Sequence, residues 1–393
     1  MAGRKEKLLA VAGTDFDRSY AGTQNLLEAL GEVFEVEAYV FTDARRGGWY
    51  GRLPFRCHAF ALRGSMWDAG RWRLMSKLFR LFVWFRMLFA RHVLITETAY
   101  LAEAALAKKI RGRHMVLAQF CQELALPEEY PQDRWPSTQK RWARVPDIVI
   151  DVDPFRAKIR MEYYGLAKMP HVLRNTFPLS QMPPRAPRGR LWELAGIPPP
   201  PAGLPVLVHV GGVGREKPFE RIIDAVAESG APVFLLAFCA ATEEKIRGLR
   251  EYASRKMASG HFHFCPPVSR EALRASLWEA DAGVVDYSFS VEPTANQRYC
   301  APTKLYEFMA CGLAVLGSDN ESLRSIIEQE GMGLCARGDS PRDLALALSE
   351  MLRTGLEGMK KRAGLVFAER YSYETACAAE VRRIADEMRS IAG

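Results

Sequence analysis

The sequence predicts an α/β protein of two Rossmann-like, doubly wound domains facing across a cleft. Short apolar runs alternate with stretches of helical period along nearly the whole chain, which is the pattern of helices packed on a parallel sheet. The 393 residues suffice for two domains of ordinary size. The alternation is interrupted near the middle by a dense group of prolines, Pro183, Pro184, Pro187 and Pro198 to Pro201, which cannot join a sheet interior and act as a stiff spacer. The expected layout is a first domain over 1–182, a second over 188–370, and a terminal helix over 371–393.

Composition narrows the function classes. Hydrophobic content of 48% and charged content of 25% are globular values. A net charge of +8 favours an anionic partner, for which nucleotides, acidic lipids and nucleic acid all qualify. The eight cysteines are scattered from Cys57 to Cys377 without a Cys-x-x-Cys pair, which points to a reducing, cytoplasmic setting and away from a cysteine-built zinc site. No uncharged apolar run approaches the roughly 20 residues that span a bilayer.

In the first half, Lys7–Ala12 predicts a strand. Its apolar run is too short for a secretory leader and is soon followed by Asp15 and Asp17. A loop through Thr14–Gly22 leads to a helix over Thr23–Leu30, and Glu35–Phe41 predicts a second strand. Ligands of doubly wound sheets sit beyond the carboxyl ends of the strands, so this loop is expected at the cleft. No Gly-x-Gly-x-x-Gly fingerprint marks a dinucleotide site there.

The segment Arg71–Arg91 contains no acidic residue. Arg73, Lys77 and Arg80 recur along one side of a helix, and Leu74, Leu78, Phe82, Phe85 and Phe89 along another. Such a helix suits peripheral contact with an anionic membrane, rings at headgroup depth and cations against phosphate. It also suits a core helix with solvated basic residues. Nucleic acid is not expected, because no recognition fold surrounds the segment.

His92–Thr96 predicts a strand ending at Glu97, Tyr100–Ile110 a helix, and Met115–Phe120 a strand followed by Gln122 and Glu123. Both glutamates end strands and so are candidate ligand contacts, although solvent-facing loop carboxylates fit as well. Asp147–Val152 predicts a strand ending Asp151-Val-Asp153, a spacing that could chelate a divalent ion. His171 stands without a second ligand at chelating spacing, whereas His261, His263 and Cys265 alternate onto one strand face. No metal is expected at any of these.

In the second half, Arg190–Ala195 predicts a short helix and Val206–Val210 a strand. The loop that follows carries Gly211, Gly212 and Gly214, which let backbone amides approach phosphate, and Arg215 and Lys217, which supply positive charge. Phe219–Ala227 predicts a helix, and Val233–Ala237 and His261–Phe264 predict strands. Ser269 suits an N-cap for a helix over Arg270–Glu279, and Gly283–Asp286 predicts a strand. A long polar loop, Tyr287–Cys300, precedes the most informative stretch of the chain. There, Pro302 suits the first turn of a helix, Gly312 its stop, and Leu313–Leu316 the next buried strand. The amides around Thr303, Lys304 and Leu305 form an anion seat at the helix start. Glu307 shares a face with Thr303 one turn on, where a carboxylate can take a sugar hydroxyl pair. That is the outline of a nucleotide diphosphate laid along a helix. Glu321–Glu328, Gly331–Cys335, a helical region from Ser340 and an amphipathic helix over Tyr373–Ile391 complete the order.

The run Pro302-Thr-Lys-Leu-Tyr-Glu-Phe-Met-Ala-Cys-Gly312 resembles the donor-binding signature of GT-B glycosyltransferases of the family 4 type, also called group 1. The resemblance implies that Glu307 binds the ribose hydroxyls of a sugar nucleotide and that the amides near Thr303 and Lys304 bind its diphosphate. It places Lys217 on the donor phosphates. The family's usual arginine falls on Gly212, with Arg215 as the nearby substitute. It further implies base contacts near Pro267 and Val268, and acceptor or transferred sugar near Gly22, with Glu97 and Glu123 as further candidates. Family members retain anomeric configuration and need no metal, and they commonly return a terminal helix, here 371–393, to the first domain. Many carry a second glutamate eight residues before the first; that position here is Tyr299.

The expected activity is transfer of a sugar from a nucleotide diphosphate sugar to an acceptor held by the first domain. If the basic aromatic helix meets membrane, the acceptor is lipid-linked and the setting is assembly of surface polysaccharide, lipopolysaccharide or glycolipid at the inner face. A sugar-nucleotide epimerase can share the fold and phosphate site, but needs acid–base groups on the bound sugar. A non-catalytic binding subunit is the other alternative, kept open by Tyr299.

Overall fold

The computed structural model describes residues 5–13, 21–43, 53–62, 69–213, 219–287 and 293–392. Thr14–Tyr20 and, in the glycine loop, Gly214, Arg215 and Lys217 lie outside the described residues. The chain divides into two compact units, one of residues 1–177 with 376–393 and one of residues 178–375.

The first unit is built on seven strands: β1 (Lys7–Ala12), β2 (Glu35–Asp43), β3 (Arg56–Leu62), β4 (His92–Thr96), β5 (Val116–Cys121), β6 (Ile148–Asp151) and β7 (His171–Val172). They lie in the order β3-β2-β1-β4-β5-β6-β7, and every pairing is parallel. All residues of β4 and β5 are buried, as expected of strands covered by helices on both faces. Strand β3 and a helix over Arg134–Trp142 are not foreseen by the sequence reading. Arg56–Leu62 carries charge and histidine among its apolar residues, because it lies at the sheet edge.

The helix Ala69–Met87 buries Phe79, Val83 and Met87, spaced by four, against the Leu9, Val11 and Ile95 side of the sheet. Its other face leaves Leu74, Leu78, Leu81, Phe82 and Phe85 exposed, and Phe89 beyond its end is 73% exposed. Arg73 and Lys77 are exposed as well. Arg80 is committed to the protein: its guanidinium makes two hydrogen bonds to Glu103, at 2.7 and 3.0 Å.

His171, solitary by sequence spacing, bridges two glutamates of the last helix, Ala378–Ala392. Its ring nitrogens lie 2.6 Å from Glu380 and 2.9 Å from Glu387. Among the described residues, no three His, Cys, Asp or Glu side chains are grouped to hold a metal ion.

The second unit holds β8 (Val206–Gly212), β9 (Phe234–Ala240), β10 (Phe262–Cys265), β11 (Ala282–Val285), β12 (Ala314–Gly317) and β13 (Gly333–Cys335) in the order β10-β9-β8-β11-β12-β13, again all parallel. In both sheets the order reverses once, between β1 and β4 and between β8 and β11. At such a reversal the helices leave to opposite faces and a crevice opens beyond the strand ends.

The helix Thr303–Cys311 packs over β11 and β12. Gly283 of β11 makes that approach possible, since a Cβ there would overlap the ring of the fully buried Phe308. Gly283→Ala is expected to destabilise the unit by about 1–3 kcal/mol through overpacking. A lowered thermal midpoint measures it, and an unchanged one would show that Phe308 has room to move.

Candidate functional site

The crevice of the second unit is framed by the ends of β8 and β11 and by the amino end of the Thr303 helix. Pro302 is the N-cap residue itself, extended at φ −77° and ψ 131°, rather than a residue of the first turn. No side chain caps the helix, and its first turn holds no acidic residue. Its dipole and amides therefore present positive potential at this end. At the other end Gly312 adopts φ +71° and closes the helix through backbone bonds to Met309 and Phe308.

Gly211, at φ +128°, takes a conformation that residues with a Cβ rarely adopt. A Cβ there would lie 3.8 Å from the ammonium of Lys304, so the first turn of the helix reaches over the end of β8. The same ammonium lies 5.4 Å from the centre of the Tyr287 ring, just past β11. Two expected phosphate elements, Gly211–Gly212 and the Thr303–Lys304 turn, thus meet at the switch point. Thr303 is partly exposed, whereas Leu305 is 1% exposed and turns its side chain into the core, leaving only its backbone for a ligand. Val268 is partly buried, on the turn between β10 and the helix Arg270–Ser276.

Glu307 lies one turn along the helix and is 7% exposed, in a polar pocket rather than an apolar one. Arg270 and Arg274, a turn apart on the helix capped by Ser269, both direct Nε at Glu307 Oε1, Arg274 at 2.9 Å. The sequence reading missed both arginines. Their i, i+4 spacing after a recognisable cap puts them on one face, but nothing in the sequence links that face to a glutamate 33 residues on.

Part of the stretch read as a polar loop before the donor helix is a short helix, Ala295–Arg298, closed by a reciprocal Thr294–Gln297 capping box. Asn320 Nδ2 donates to Gln297 O at 2.8 Å and ties this helix to the end of β12. Tyr299 is its C-cap residue.

The switch point of the first unit lies between the ends of β1 and β4. Glu97 follows β4 with φ +57°, the one non-glycine residue with positive φ among the described residues. Its carbonyl accepts from Gln119 Nε2 at 3.1 Å, its amide donates to Phe120 O at 2.7 Å, and its carboxyl accepts from the Gln122 amide at 2.7 Å. Burial, and next the nearby Glu123 carboxylate, push the Glu97 carboxyl up to about 8, against the Gln122 amide and Arg160, which lower it. Gly22, in the first turn of the helix Ala21–Leu30, lies beside Gln122 and Asn175: a Cβ there would come within 3.3 Å of Gln122 Nε2 and 3.0 Å of Asn175 Oδ1. Gly22, Glu97 and Gln122 therefore share one strand-end region, and Glu123 stands next to it. Asp151 and Asp153 have structural partners instead. Asp151 pairs with buried Arg160 at 2.7 Å, and Asp153 caps the helix Pro154–Tyr164 through the Phe155 and Arg156 amides.

A folded-state pKa near 8 against an ordinary 4.5 means that the folded chain keeps the Glu97 proton where the unfolded chain loses it. Its contribution is therefore most favourable below pH 4.5 and declines as pH rises to about 8. Glu97→Gln is expected to match the parent near pH 4.5 and to be the more stable protein near pH 8. Thermal midpoints across this range check it; a difference that does not grow with pH would contradict the assignment.

Residues 192–365 match the family described as glycosyl transferases group 1. No curated protein sequence matches the chain. Among solved structures, Anabaena Alr3699/HepE in complex with UDP-glucose superposes with a TM-score of 0.73 at 14% identity, over 98% of this chain and 99% of that one. A glycosyltransferase from Rickettsia africae gives 0.71 at 12% identity over 98% of each chain. Sucrose-phosphate synthase from Thermosynechococcus elongatus gives 0.69 at 15% identity over 98% and 99%. At these identities the likeness is one of fold, and it extends along the whole chain. The family match covers residues 192–365, within the second unit, and the likeness to solved structures covers the chain, so the fold is that of GT-B glycosyltransferases.

Proposed function

We propose that this chain is a group 1 glycosyltransferase that moves a sugar from a uridine diphosphate sugar to a lipid-linked acceptor, in the assembly of surface polysaccharide, lipopolysaccharide or glycolipid on the cytoplasmic face of a membrane. The observation that carries the donor half is the meeting of Gly211, Lys304 and the uncapped Thr303 helix at one switch point, with Glu307 a turn deeper. The UDP-glucose bound by HepE makes uridine the first base to test.

In this reading the diphosphate lies against the Thr303–Lys304 turn and the ribose hydroxyls bind Glu307. Negative charge grows on the departing diphosphate as the glycosidic bond breaks. The helix amides and Lys304, with Lys217 and Arg215 from the glycine loop, supply positive charge for that anion, which is electrostatic catalysis. These cations do the work that a divalent ion does elsewhere, so transfer is metal-independent, and it retains configuration. Gly22, Glu97 and Glu123 at the first unit's switch point face the acceptor or the transferred sugar.

The acceptor half rests on the Ala69–Met87 helix. Isolated exposed apolar residues are ordinary, but a continuous stripe of six large ones is not. Burying each phenylalanine in lipid is worth about 1.5–3 kcal/mol, and the exposed Arg73 and Lys77 add attraction to anionic headgroups. No described helix is long and apolar enough to cross a membrane, so the contact is peripheral.

Two measurements test this reading. Across a panel of nucleotide sugars, a UDP-sugar is expected to raise the thermal midpoint by mass action, and Glu307→Ala to abolish the rise. Turnover with acceptor should release free nucleoside diphosphate; conversion of the sugar without that release would identify an epimerase. For the membrane, the parent should float with vesicles containing anionic lipid, and the Phe82→Ser, Phe85→Ser, Phe89→Ser triple variant should not. Equal flotation of the two would remove the lipid-linked acceptor from the proposal.

A further inference from the structure

Glu307 is held in an unusual way. Arg270 Nε and Arg274 Nε both donate to the same oxygen, Oε1, and no described residue donates to Oε2. A carboxylate oxygen offers two lone-pair directions, so Oε1 is saturated and Oε2 keeps both of its own. The terminal torsion of a glutamate is otherwise broad, and two fixed donors on one oxygen set the plane of the group. Arg274 is as buried as Glu307, with side chains 8% and 9% exposed, whereas Arg270 is 36% exposed. One carboxylate between two guanidiniums leaves a surplus positive charge in the pocket, which favours an arriving anion.

We infer that Arg270 and Arg274 are positioning residues for the donor's pentose: they pin Oε1 of Glu307 and turn Oε2 toward the ribose diol. The inference rests on the donor site proposed above and adds its mechanism of grip. A ribose hydroxyl is a donor, and Oε2 has acceptor directions open to receive one. Arg270 also follows Val268 by two residues, so the turn expected to meet the base and the acid that meets the ribose are joined through one short helix. Base and pentose are thereby located by a common rigid piece, and the cost of orienting the carboxylate is met before the ligand arrives.

The test is a coupling measurement by titration calorimetry on the full chain, with UDP, 2′-deoxy-UDP and 3′-deoxy-UDP as ligands. For the parent, removing the hydroxyl that meets Oε2 is expected to weaken binding about tenfold, as for a hydrogen bond to a charged group. Arg274→Met should weaken UDP by a similar factor yet leave that deoxy analogue almost unchanged, because the hydroxyl no longer finds an aimed oxygen. Arg270→Gln, at a half-exposed position, gives the same readout if Arg274→Met fails to fold, and Arg270→Lys should recover part of the loss. Equal weakening of UDP and both analogues would show a purely structural role and overturn the inference. So would unchanged UDP binding, or tighter binding by Arg270→Gln, which would mean that the guanidinium competes with the pentose. A parent that binds no UDP would instead overturn the donor reading itself.

Discussion

The amino end of the Thr303 helix must lie at the carboxyl ends of β8 and β11, and much of the second unit is arranged around that requirement. A helix dipole is useful to an anion only within its first turn, so the helix has to be seated to within a residue. Gly283 lets Phe308 come down onto the sheet, and Gly312 stops the helix where β12 must begin. The short Ala295–Arg298 helix, tied to Asn320, feeds the chain into Pro302 from a fixed direction. With the helix so seated, Lys304 lies over Gly211 and Glu307 meets both Arg270 and Arg274.

Several of the buried charges among the described residues are paired with an opposite charge. Arg160 answers Asp151, Arg221 answers Asp286, and Glu330 gathers Arg362, Arg370 and Tyr371 where the chain turns toward its last helix. An unpaired charge at such depth would cost several kcal/mol, whereas a paired one fixes geometry. Glu97 is different: it carries a strained backbone and a carboxyl that keeps its proton near neutrality, at the switch point of the first sheet. Strain of this kind persists only where the surroundings over-determine it, and here three hydrogen bonds do so.

The two halves also differ in what they leave exposed. Among its described residues the second unit exposes large apolar side chains at Leu179, Leu346 and Leu365, far apart in the sequence. The first keeps a row of leucines and phenylalanines on the outer face of Ala69–Met87, although Phe79, Val83 and Met87 on the same helix already supply the packing the fold needs. The proposed lipid-linked acceptor is built on this exposed row.

Local chemistry is written in the sequence because it acts over one or two turns. Pro302, Gly312, Ser269 and Ser340 mark helix ends by their own dihedrals and hydrogen bonds, and the apolar runs of β4, β5 and β12 announce strands covered on both faces. Thr303 and Glu307 are on one face of one helix whatever surrounds them. What joins distant stretches is not written there. Arg270 and Arg274 on Glu307, Glu380 and Glu387 on His171, and the Lys304 ammonium over Gly211 all bring together residues separated by from 33 to more than 200 positions. The sequence by itself determined which residues could bind a phosphate or a diol. Only the tertiary structure decided which of them meet, because parallel strand order, and not distance along the chain, sets which strand ends share a crevice.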